Sequence, residues 1–597
     1  MESKSPDSES IILSANARKV LERRYLLRDE QGRIVESPRG LFQRVARAVA
    51  EADLLYDKGT NPKELEQELF DLMVNLHFLP NSPTLMNAGT EIGQLSACFV
   101  LPVGDSIREI FGAVQNMALI HQSGGGTGFS FSRLRPKDDV VKSTGGIASG
   151  PVSFMRVYDE ATEIIKQGGR RRGANMGILR VDHPDILDFI RAKERGGFLT
   201  NFNISVNATD QFMESVKADG KYDLINPRTG KAVRTLRAKR VFDRAVRSAW
   251  KTGDPGFVFI DEINRHNPTP HLGEMESTNP CGEQPLLPYE SCNLGSINLS
   301  TMVRDGTIDW EKLRRTVHLG IHFLDNIIDV NRFPLPEIEA ITKGNRKIGL
   351  GVMGFAEMLI RLGISYASDE ALEVAEGIMK FIQKEAVDKS MELAHQRGSF
   401  PNFKGSLWEK KGYERMRNAT LTTVAPTGTI SIIAGTSSGI EPLFAISFYR
   451  EILEGTRLLE VNPLFRSMAE TEGFFSQGLM ERIALKGSIQ DVPSMPEKLR
   501  RIFLTALDIP FEWHVKMQAA FQKYTDNAVS KTINLPRDAT MEDVANAYLM
   551  AYERKCKGIT IFRYGSKQHQ VLYIGLSKDV PVQASLEFSG DCRICSV

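Results

Sequence analysis

Ser277-Thr-Asn-Pro-Cys-Gly-Glu-Gln284 sets a thiol, an amide and a carboxylate at every second position. In an extended segment that spacing places Asn279, Cys281 and Glu283 on one side. Facing one cavity, a thiol can abstract hydrogen, an amide can orient a hydroxyl and a carboxylate can take its proton. A buried cysteine on its own is ordinarily a small hydrophobe. The company of Asn279 and Glu283 is what marks Cys281 as chemistry rather than packing.

Outward from this segment the chain alternates strands and helices. Upstream, Phe129-Ser-Phe, Phe202-Asn-Ile-Ser-Val and Phe257-Val-Phe-Ile read as strands, and Asp105 to Gln122 and Pro184 to Glu194 as helices. Downstream, Ile348 to Val352 and Leu421 to Val424 are strand-like, Phe355 to Leu362 is helical, and Ala371 to Arg397 forms a long amphipathic helix. Such alternation predicts an α/β architecture with a parallel sheet. Before it, residues 1–95 read as a helical region, with apolar residues at helical spacing over Leu41 to Leu55 and Pro62 to Leu76. From about Lys567 periodicity fades, so 96–566 is expected to be the catalytic unit and 567–597 a flexible tail.

The 597 residues carry 75 Lys+Arg against 74 Asp+Glu, a balance with no electrostatic reason for a nucleic-acid polymer as partner. Met1 to Ser10 has no apolar run behind it, and no stretch approaches the ~18 apolar residues of a membrane span, so a cytoplasmic protein is expected. Six cysteines are too few for a disulfide scaffold, which leaves catalysis, redox exchange or metal binding as the reasons for unusual ones. Cys292 lies in Glu290-Ser-Cys-Asn-Leu-Gly-Ser, and Cys98 in Leu95-Ser-Ala-Cys-Phe-Val-Leu-Pro. Cys592 and Cys595 form a CxxC close to the last residue, with no second pair to complete a zinc site. On a flexible tail that pair suits dithiol–disulfide exchange. Cys556 has no such context and is expected to be structural.

Gly349-Leu-Gly351-Val-Met-Gly354 matches GxGxxG after a strand-like run, with Asp369 fifteen residues beyond. A nicotinamide-dependent dehydrogenase is therefore a rival reading. Against it, the fingerprint should open a βαβ unit, and much chemistry precedes it here. Glycines required by close strand-to-helix packing are the simpler explanation. No GxxxxGK[ST] occurs, so a P-loop is excluded.

Asn279-Pro-Cys-Gly-Glu, Ser291-Cys-Asn-Leu-Gly, Ser96-Ala-Cys and the terminal CxxC resemble ribonucleotide reductase in composition, order and approximate separation. Asn81-Ser-Pro-Thr-Leu-Met-Asn-Ala-Gly and Ala425-Pro-Thr-Gly-Thr-Ile-Ser extend the similarity over roughly 80–565. The resemblance implies a ten-stranded α/β barrel with the radical cysteine on a finger loop inside it. It implies that Cys281 is the thiyl radical that takes the 3′ hydrogen, Glu283 the base for the 3′ hydroxyl, and Asn279 the holder of the substrate hydroxyls. Cys98 and Cys292 would supply two electrons by closing a disulfide. Cys592 and Cys595 would reopen it and be recharged by thioredoxin or a similar protein.

For the phosphates it implies Pro426, Thr427, Gly428, Thr429 and Ile430, with Ser82, Thr84 and the backbone at Ala97 completing the substrate site. Free amides at a helix start suit a diphosphate. Asp105, Ser106, Ile107 and Arg135 would contact a dNTP or ATP effector. The basic loop with Arg170, Arg171, Arg172, Gly173, Ala174 and Asn175 would carry its signal to the substrate pocket, with the effector site at a homodimer interface. The N-terminal region looks too short for the family's ATP cone.

Three radical generators occur in the family. The adjacent tyrosines of a class I large subunit, which would need a metal-radical partner, are absent. Gly558-Ile-Thr-Ile-Phe-Arg-Tyr-Gly-Ser-Lys567 instead resembles class II chains, and Tyr564-Gly565 is a poor match to the glycyl-radical motif of class III. The expected cofactor is adenosylcobalamin, bound base-on because Asp-x-His-x-x-Gly is missing, with no metal ligand from the protein. Ribonucleoside diphosphates are the expected substrates. A catalytically dead nucleotide sensor is a third reading, opposed by the intact set of cysteines with Asn279 and Glu283.

Overall fold

The computed structural model describes residues 11–141, 145–167, 171–452 and 456–566. Three helices open the chain: α1 (Ala15–Arg24), α2 (Pro38–Ala50) and α3 (Pro62–Val74). Each starts where a side-chain oxygen satisfies a first-turn N–H: Ser14 for Ala17, Ser37 for Gly40 and Asn61 for Lys63. Proline at the first helical position of α2 and α3 reinforces the start. Leu41, Phe42, Val45, Ala46 and Val49 bury one face of α2. The α-helix expected to reach Leu55 ends at Ala50, and Glu51–Leu55 tightens into a 3-10 turn.

Ten strands form one mixed sheet: β1 (Phe78–Pro80), β2 (Cys98–Leu101), β3 (Gly126–Ser130), β4 (Asn175–Arg180), β5 (Phe202–Ala208), β6 (Gly256–Phe259), β7 (Ser291–Asn298), β8 (Ile348–Met353), β9 (Thr532–Leu535) and β10 (Gly558–Arg563). The parallel sheet anticipated from the strand–helix alternation is two parallel sets, not one. β2 through β6 run parallel in sequence order. The second set pairs β7 with β8 and β9 with β10, also in parallel. The sets meet antiparallel at β2 with β7 and at β6 with β10. Alternation of strands and helices dictates parallel neighbours within each set but is silent on how two sets join.

Between β8 and β9 the ring is closed by 421–424, the stretch that reads as a strand, held by parallel bridges Leu350 to Thr422 and Val424 to Val529. β1 lies antiparallel on the same edge of β7 as β2. The result is the expected ten-stave barrel. All seven residues of β5 are buried, with Phe202, Ile204 and Val206 in the outer apolar core and Asn203, Ser205 and Asn207 at the alternate positions. Outside, α4 (Ile107–Ser123) follows β2, and α5 (Trp310–Val330) lies on β7 and β8 and packs against α7 (Asp369–Arg397); α6 (Phe355–Leu362) follows β8. The helix expected over 184–194 is shorter, with Ile186–Ile190 helical and Ala192–Glu194 a 3-10 turn.

The glycines of the GxGxxG match are packing glycines. A Cβ on Gly351 would lie 2.4 Å from the Thr423 carbonyl oxygen, and one on Gly349 would lie 2.7 Å from Leu294 and Thr423 side-chain carbons. Gly354 starts α6 with φ +75°. β8 is a stave inside a closed barrel, not the opening strand of a dinucleotide fold. No helix among the described residues is long and apolar enough to cross a membrane.

Candidate active site

The finger loop is a short hairpin, Ser277–Thr278 against Pro285–Leu286, with residues 279–284 at its tip. It passes hard against β3: a Cβ on Gly128 would lie 1.7 Å from the Thr278 carbonyl oxygen, and one on Gly126 would lie 3.0 Å from Pro280 Cγ. The tip is a tight turn rather than the extended segment anticipated for it. The Gly282 N–H donates to the Asn279 carbonyl at 3.1 Å, and Gly282 adopts φ +82°. The Asn279 and Gln284 backbones pair at 3.1 Å, and Asn279 Oδ1 accepts the Gln284 N–H at 3.0 Å.

The barrel wall grips this turn. Asn203 Nδ2 on β5 donates to the Pro280 carbonyl at 2.8 Å. The Ala528 N–H and Thr423 Oγ1 both donate to the Glu283 carbonyl at 2.9 Å.

Turn and wall bring the cysteine set together. Cys98 and Cys292 sit directly opposite each other in the antiparallel pairing of β2 with β7, and both are free thiols. Cross-strand partners hold their Cβ atoms about 4.5–5.5 Å apart, a spacing that needs only modest movement to allow a disulfide. Asn279 Nδ2 donates to Cys98 Sγ at 3.2 Å, and Cys98 Sγ lies 3.9 Å from Glu283 Oε1. Cys281, half-buried at the tip, is close enough to act electrostatically on Cys98.

Enclosure sets the electrostatics. Burial pushes the Glu283 carboxyl up to about 7, against the pull of the nearby Asn279 amide, and its Oε2 has no hydrogen-bond partner. Burial also pushes both wall thiols up, Cys98 further by the neighbouring Glu283 carboxylate. The pair therefore rests as neutral thiols, hydrogen-carrying reductants rather than standing nucleophiles.

The phosphate candidates lie at the start of one helix and in the segment before β2. Thr427 has φ +54° and precedes α8 (Gly428–Ala434), whose start has no side-chain cap, leaving first-turn amides open. Thr427 Oγ1 accepts the Gly439 N–H at 2.7 Å, and Thr429 and Ile430 are buried in the first turn. Pro426 immediately precedes that turn. α1 packs on α8, and its following residue Tyr25 shares a 2.8 Å hydrogen bond with Ser82 Oγ. Thr84 is fully buried, with its hydroxyl donating to the Leu95 carbonyl. The Ala97 backbone pairs in the ladder, its N–H donating to Cys292 O at 3.2 Å and its carbonyl accepting from Gly126 N at 2.9 Å.

The effector candidates lie elsewhere. Arg135 Nε meets Asp105 Oδ2 at 2.9 Å, and its N–H reaches Oδ1 at 3.0 Å. Ser106 caps α4 through the Glu109 N–H, and Ile107 is exposed. Arg171 and Arg172 form a two-residue strand against Lys166 and Gln167, while Gly173 packs on His121. Ala174 and Asn175 join β3, where the Asn175 amide accepts from Thr127 Oγ1 at 2.7 Å. Arg170, Cys592 and Cys595 lie outside the described residues.

Beyond the finger tip a cavity opens on Cys281, lined by Asn203, Ser205, Gly256, Gln518, Lys531 and Gly558 among others. Asn203 Oδ1 and Gln518 Oε1 are buried there without partners. Small residues leave room, and orphaned acceptors suit the hydroxyls and amines of an adenosyl group, so the lining fits the organic arm of a cobalamin coenzyme.

Several supports are not obvious from motifs. Thr423 and Ala528 hold Glu283, Asn203 holds Pro280, and Glu290 with Lys347 forms a buried ion pair beside Cys292. For Asn203 a signal exists, since polar residues at alternate positions of an otherwise apolar strand mark an inward-facing row. Lys347 and Thr423 carry none.

A family model described as "Ribonucleotide reductase, barrel domain" matches residues 96–416 and 409–562, and one described as "Ribonucleotide reductase, all-alpha domain" matches 12–93. A "Vitamin B12-dependent ribonucleoside-diphosphate reductase" of Thermoplasma acidophilum is 52% identical, over 96% of this chain and 81% of that one. A protein of the same description from Mycobacterium tuberculosis is 51% identical, over 98% of this chain and 84% of that one. Among solved structures, an Actinobacillus ureae class Id ribonucleotide reductase alpha subunit aligns with TM-score 0.76 at 23% identity, covering 94% of this chain and 99% of that one. The last likeness speaks to fold alone. With both family models matched and these relatives more than half identical, the chain belongs to the ribonucleotide reductase family.

Proposed function

We propose that this protein reduces ribonucleoside diphosphates to 2′-deoxyribonucleotides by a thiyl-radical route, with adenosylcobalamin as its radical source. The observation that carries this is Cys98 opposite Cys292 in the barrel wall, with Asn279 and Glu283 against Cys98 and Cys281 at the neighbouring tip. The description of the half-identical relatives supports both the substrate class and the vitamin B12 coenzyme. The absence of a Tyr-Tyr pair argues against a class I chain.

When bound, adenosylcobalamin supplies the one-electron oxidation that makes Cys281 a thiyl radical; Asn203 and Gln518 would face its adenosyl arm. Cys281 then takes the 3′ hydrogen of the ribose. Glu283, poised near neutrality, takes the proton of the 3′ hydroxyl. Asn279 holds the hydroxyls on the face of the wall thiols. Cys98 protonates the departing 2′ hydroxyl, which leaves as water. The two electrons and two protons come from Cys98 and Cys292 as they close a disulfide, and Cys281 recovers its hydrogen at the end.

The uncapped start of α8, with Pro426, Thr427, Gly428, Thr429 and Ile430, would hold the diphosphate, beside Ser82 and Thr84. Asp105, Ser106, Ile107 and Arg135 would meet a dNTP effector near the exposed Ile107, Phe111 and Leu119 of α4, which a second copy of the chain would cover. The loop from Arg170 to Asn175 would link the two sites. Cys592 and Cys595 in 567–597 would reopen the disulfide, recharged by a thioredoxin-like protein. Residues 1–95 would serve as a helical support for the 96–566 barrel, the whole working in the cytoplasm.

The test is CDP reduction by the purified chain alone with dithiothreitol, in the dark, with and without adenosylcobalamin. Cobalamin-dependent dCDP formation that disappears in Cys281→Ala, with CDP still bound, is the expected result. Turnover without cobalamin, or in Cys281→Ala, overturns the reading.

A further inference from the structure

Near Cys292 lies a buried charge pair that the reaction does not use. Lys347 Nζ meets Glu290 Oε2 at 2.6 Å, and each side chain is 1% exposed. Glu290 has two further donors: the Asn345 amide donates to Oε1 at 2.5 Å and the Leu287 N–H to Oε2 at 2.6 Å. The Glu290 backbone carbonyl accepts from Val100 N on β2. Lys347 in turn presents its own carbonyl to Cys292 Sγ at 3.6 Å. Through their own backbone carbonyls the two residues thus touch β2 and the buried sulfur of β7.

A fully buried ion pair is weak as a stabilising device, because desolvation of both charges offsets their attraction, and apolar residues of similar shape often do as well. Here the lysine is the residue next in register to Cys292, one step before the pairing of Asn293 with Ile348, and the Cys292 sulfur must become a leaving group. Burial pushes the Cys292 thiol up, and Lys347 is the foremost influence acting in the opposite direction. Thiol–disulfide exchange runs faster when the departing sulfur is stabilised as thiolate.

We propose that Lys347 is a positioning residue for re-reduction: its ammonium stabilises Cys292 as the leaving thiolate when the Cys98–Cys292 disulfide is opened at Cys98. This rests on the reading of Cys98 and Cys292 as the redox pair. The exchange balances. An incoming thiolate forms a bond to Cys98 sulfur, the Cys98–Cys292 bond breaks, and the electron pair leaves on Cys292. A second thiol of the reductant then releases Cys98 and is itself left oxidised as a disulfide. The charged or titratable groups around Cys292 are Lys347, Glu290, Glu283 and Cys98, and Lys347 is the cation among them. Cys98 as the attacked atom follows from its contacts, since it borders Asn279 and Glu283 at the substrate face while Cys292 is fully enclosed.

The experiment uses the full chain with Cys592→Ser and Cys595→Ser, oxidised by one turnover with CDP and adenosylcobalamin, and follows re-reduction by dithiothreitol. Lys347→Met with Glu290→Gln, a neutral pair of similar volume, is expected to slow re-reduction at least tenfold. Lys347→Arg should stay within about threefold of the parent. Parental rates in the neutral pair, or equal slowing in Lys347→Arg, overturn the proposal. In the parent background, independent of those variants folding, a monothiol such as glutathione should be trapped on Cys98 with Cys292 released. A mixed disulfide mapped to Cys292 overturns it as well. If no Cys98–Cys292 disulfide forms on turnover, the redox pair itself is misassigned and the role of Lys347 falls with it.

Discussion

Glu283 shows how much one residue owes to its surroundings. An ordinary glutamate titrates near 4.5, and enclosure raises this one to about 7. Near neutral pH it is thus divided between acid and base, as a group that must both take and return a proton requires. A folded-state pKa above the unfolded value means the native chain binds the proton more tightly. The contribution of Glu283 to stability is therefore greatest below about 4.5, declines as pH rises through about 7, and is level above that. The decline is of order 3 kcal/mol. In Glu283→Gln, urea melts between pH 4.5 and 8 should lose that slope, and turnover should fall by roughly 10²–10⁴. A parental pH dependence of stability in this variant would mean that other groups carry the slope.

At the scale of elements, the finger loop depends on what the neighbouring strands lack. Gly128 on β3 leaves the space that the Thr278 carbonyl occupies, with 1.7 Å between that oxygen and any added Cβ. Backbone cannot yield as the end of a side chain can, so Gly128→Ala must displace the base of the hairpin. We expect Gly128→Ala to lose about 1–3 kcal/mol by overpacking and to lose nearly all turnover, because Asn279, Cys281 and Glu283 move together. A crystal structure of the variant with the hairpin in place, or turnover near the parent's, would contradict this. α4 offers a second prediction. Ile107, Phe111 and Leu119 expose an apolar stripe beside the Asp105–Arg135 pair. If this stripe forms the proposed dimer contact, Phe111→Lys should sediment as a smaller species than the parent with dNTP present, and identical sedimentation would rule that contact out.

Across the whole molecule, a buried ion cluster joins the N-terminal helical region to the barrel. Asp325 on α5 is fully enclosed and accepts from Arg346 at 2.9 Å, Arg417 at 3.1 Å, Arg397 at 3.4 Å and Asn418 at 2.9 Å. Arg397 also donates to Asp53 at 2.6 Å, and both Arg397 and Arg417 lie over the Tyr56 ring. Removing the central anion takes a shared partner from three cations, although Arg346 keeps Asp329 and Arg397 keeps Asp53. Asp325→Ala should therefore cost about 3–5 kcal/mol. The same network ties residues 53 and 56 to α5 and α7, so the helical region and the barrel should unfold in one transition by circular dichroism and tryptophan fluorescence alike. Two separated transitions would show that the cluster does not couple them.

Legibility in the sequence followed the range of the interaction. Strand and helix identities and the chemical character of Asn279, Cys281 and Glu283 are local facts, written in spacing and residue type. So is the packing role of Gly349 and Gly351, since a strand of glycines followed by a helix announces close approach. Residue resemblance carried the pairing of Cys98 with Cys292 across 194 positions, because nothing local relates two cysteines so far apart. Tertiary structure alone decided that the parallel sets meet antiparallel, that the tip of the finger is a turn and not a strand, and that the Ala97 backbone pairs with both Cys292 and Gly126. It alone placed Lys347 and Glu290 near Cys292. Those outcomes depend on which distant backbones compete for the same hydrogen bonds and the same enclosed volume, and on how far burial moves a charge, none of which is a property of neighbouring residues.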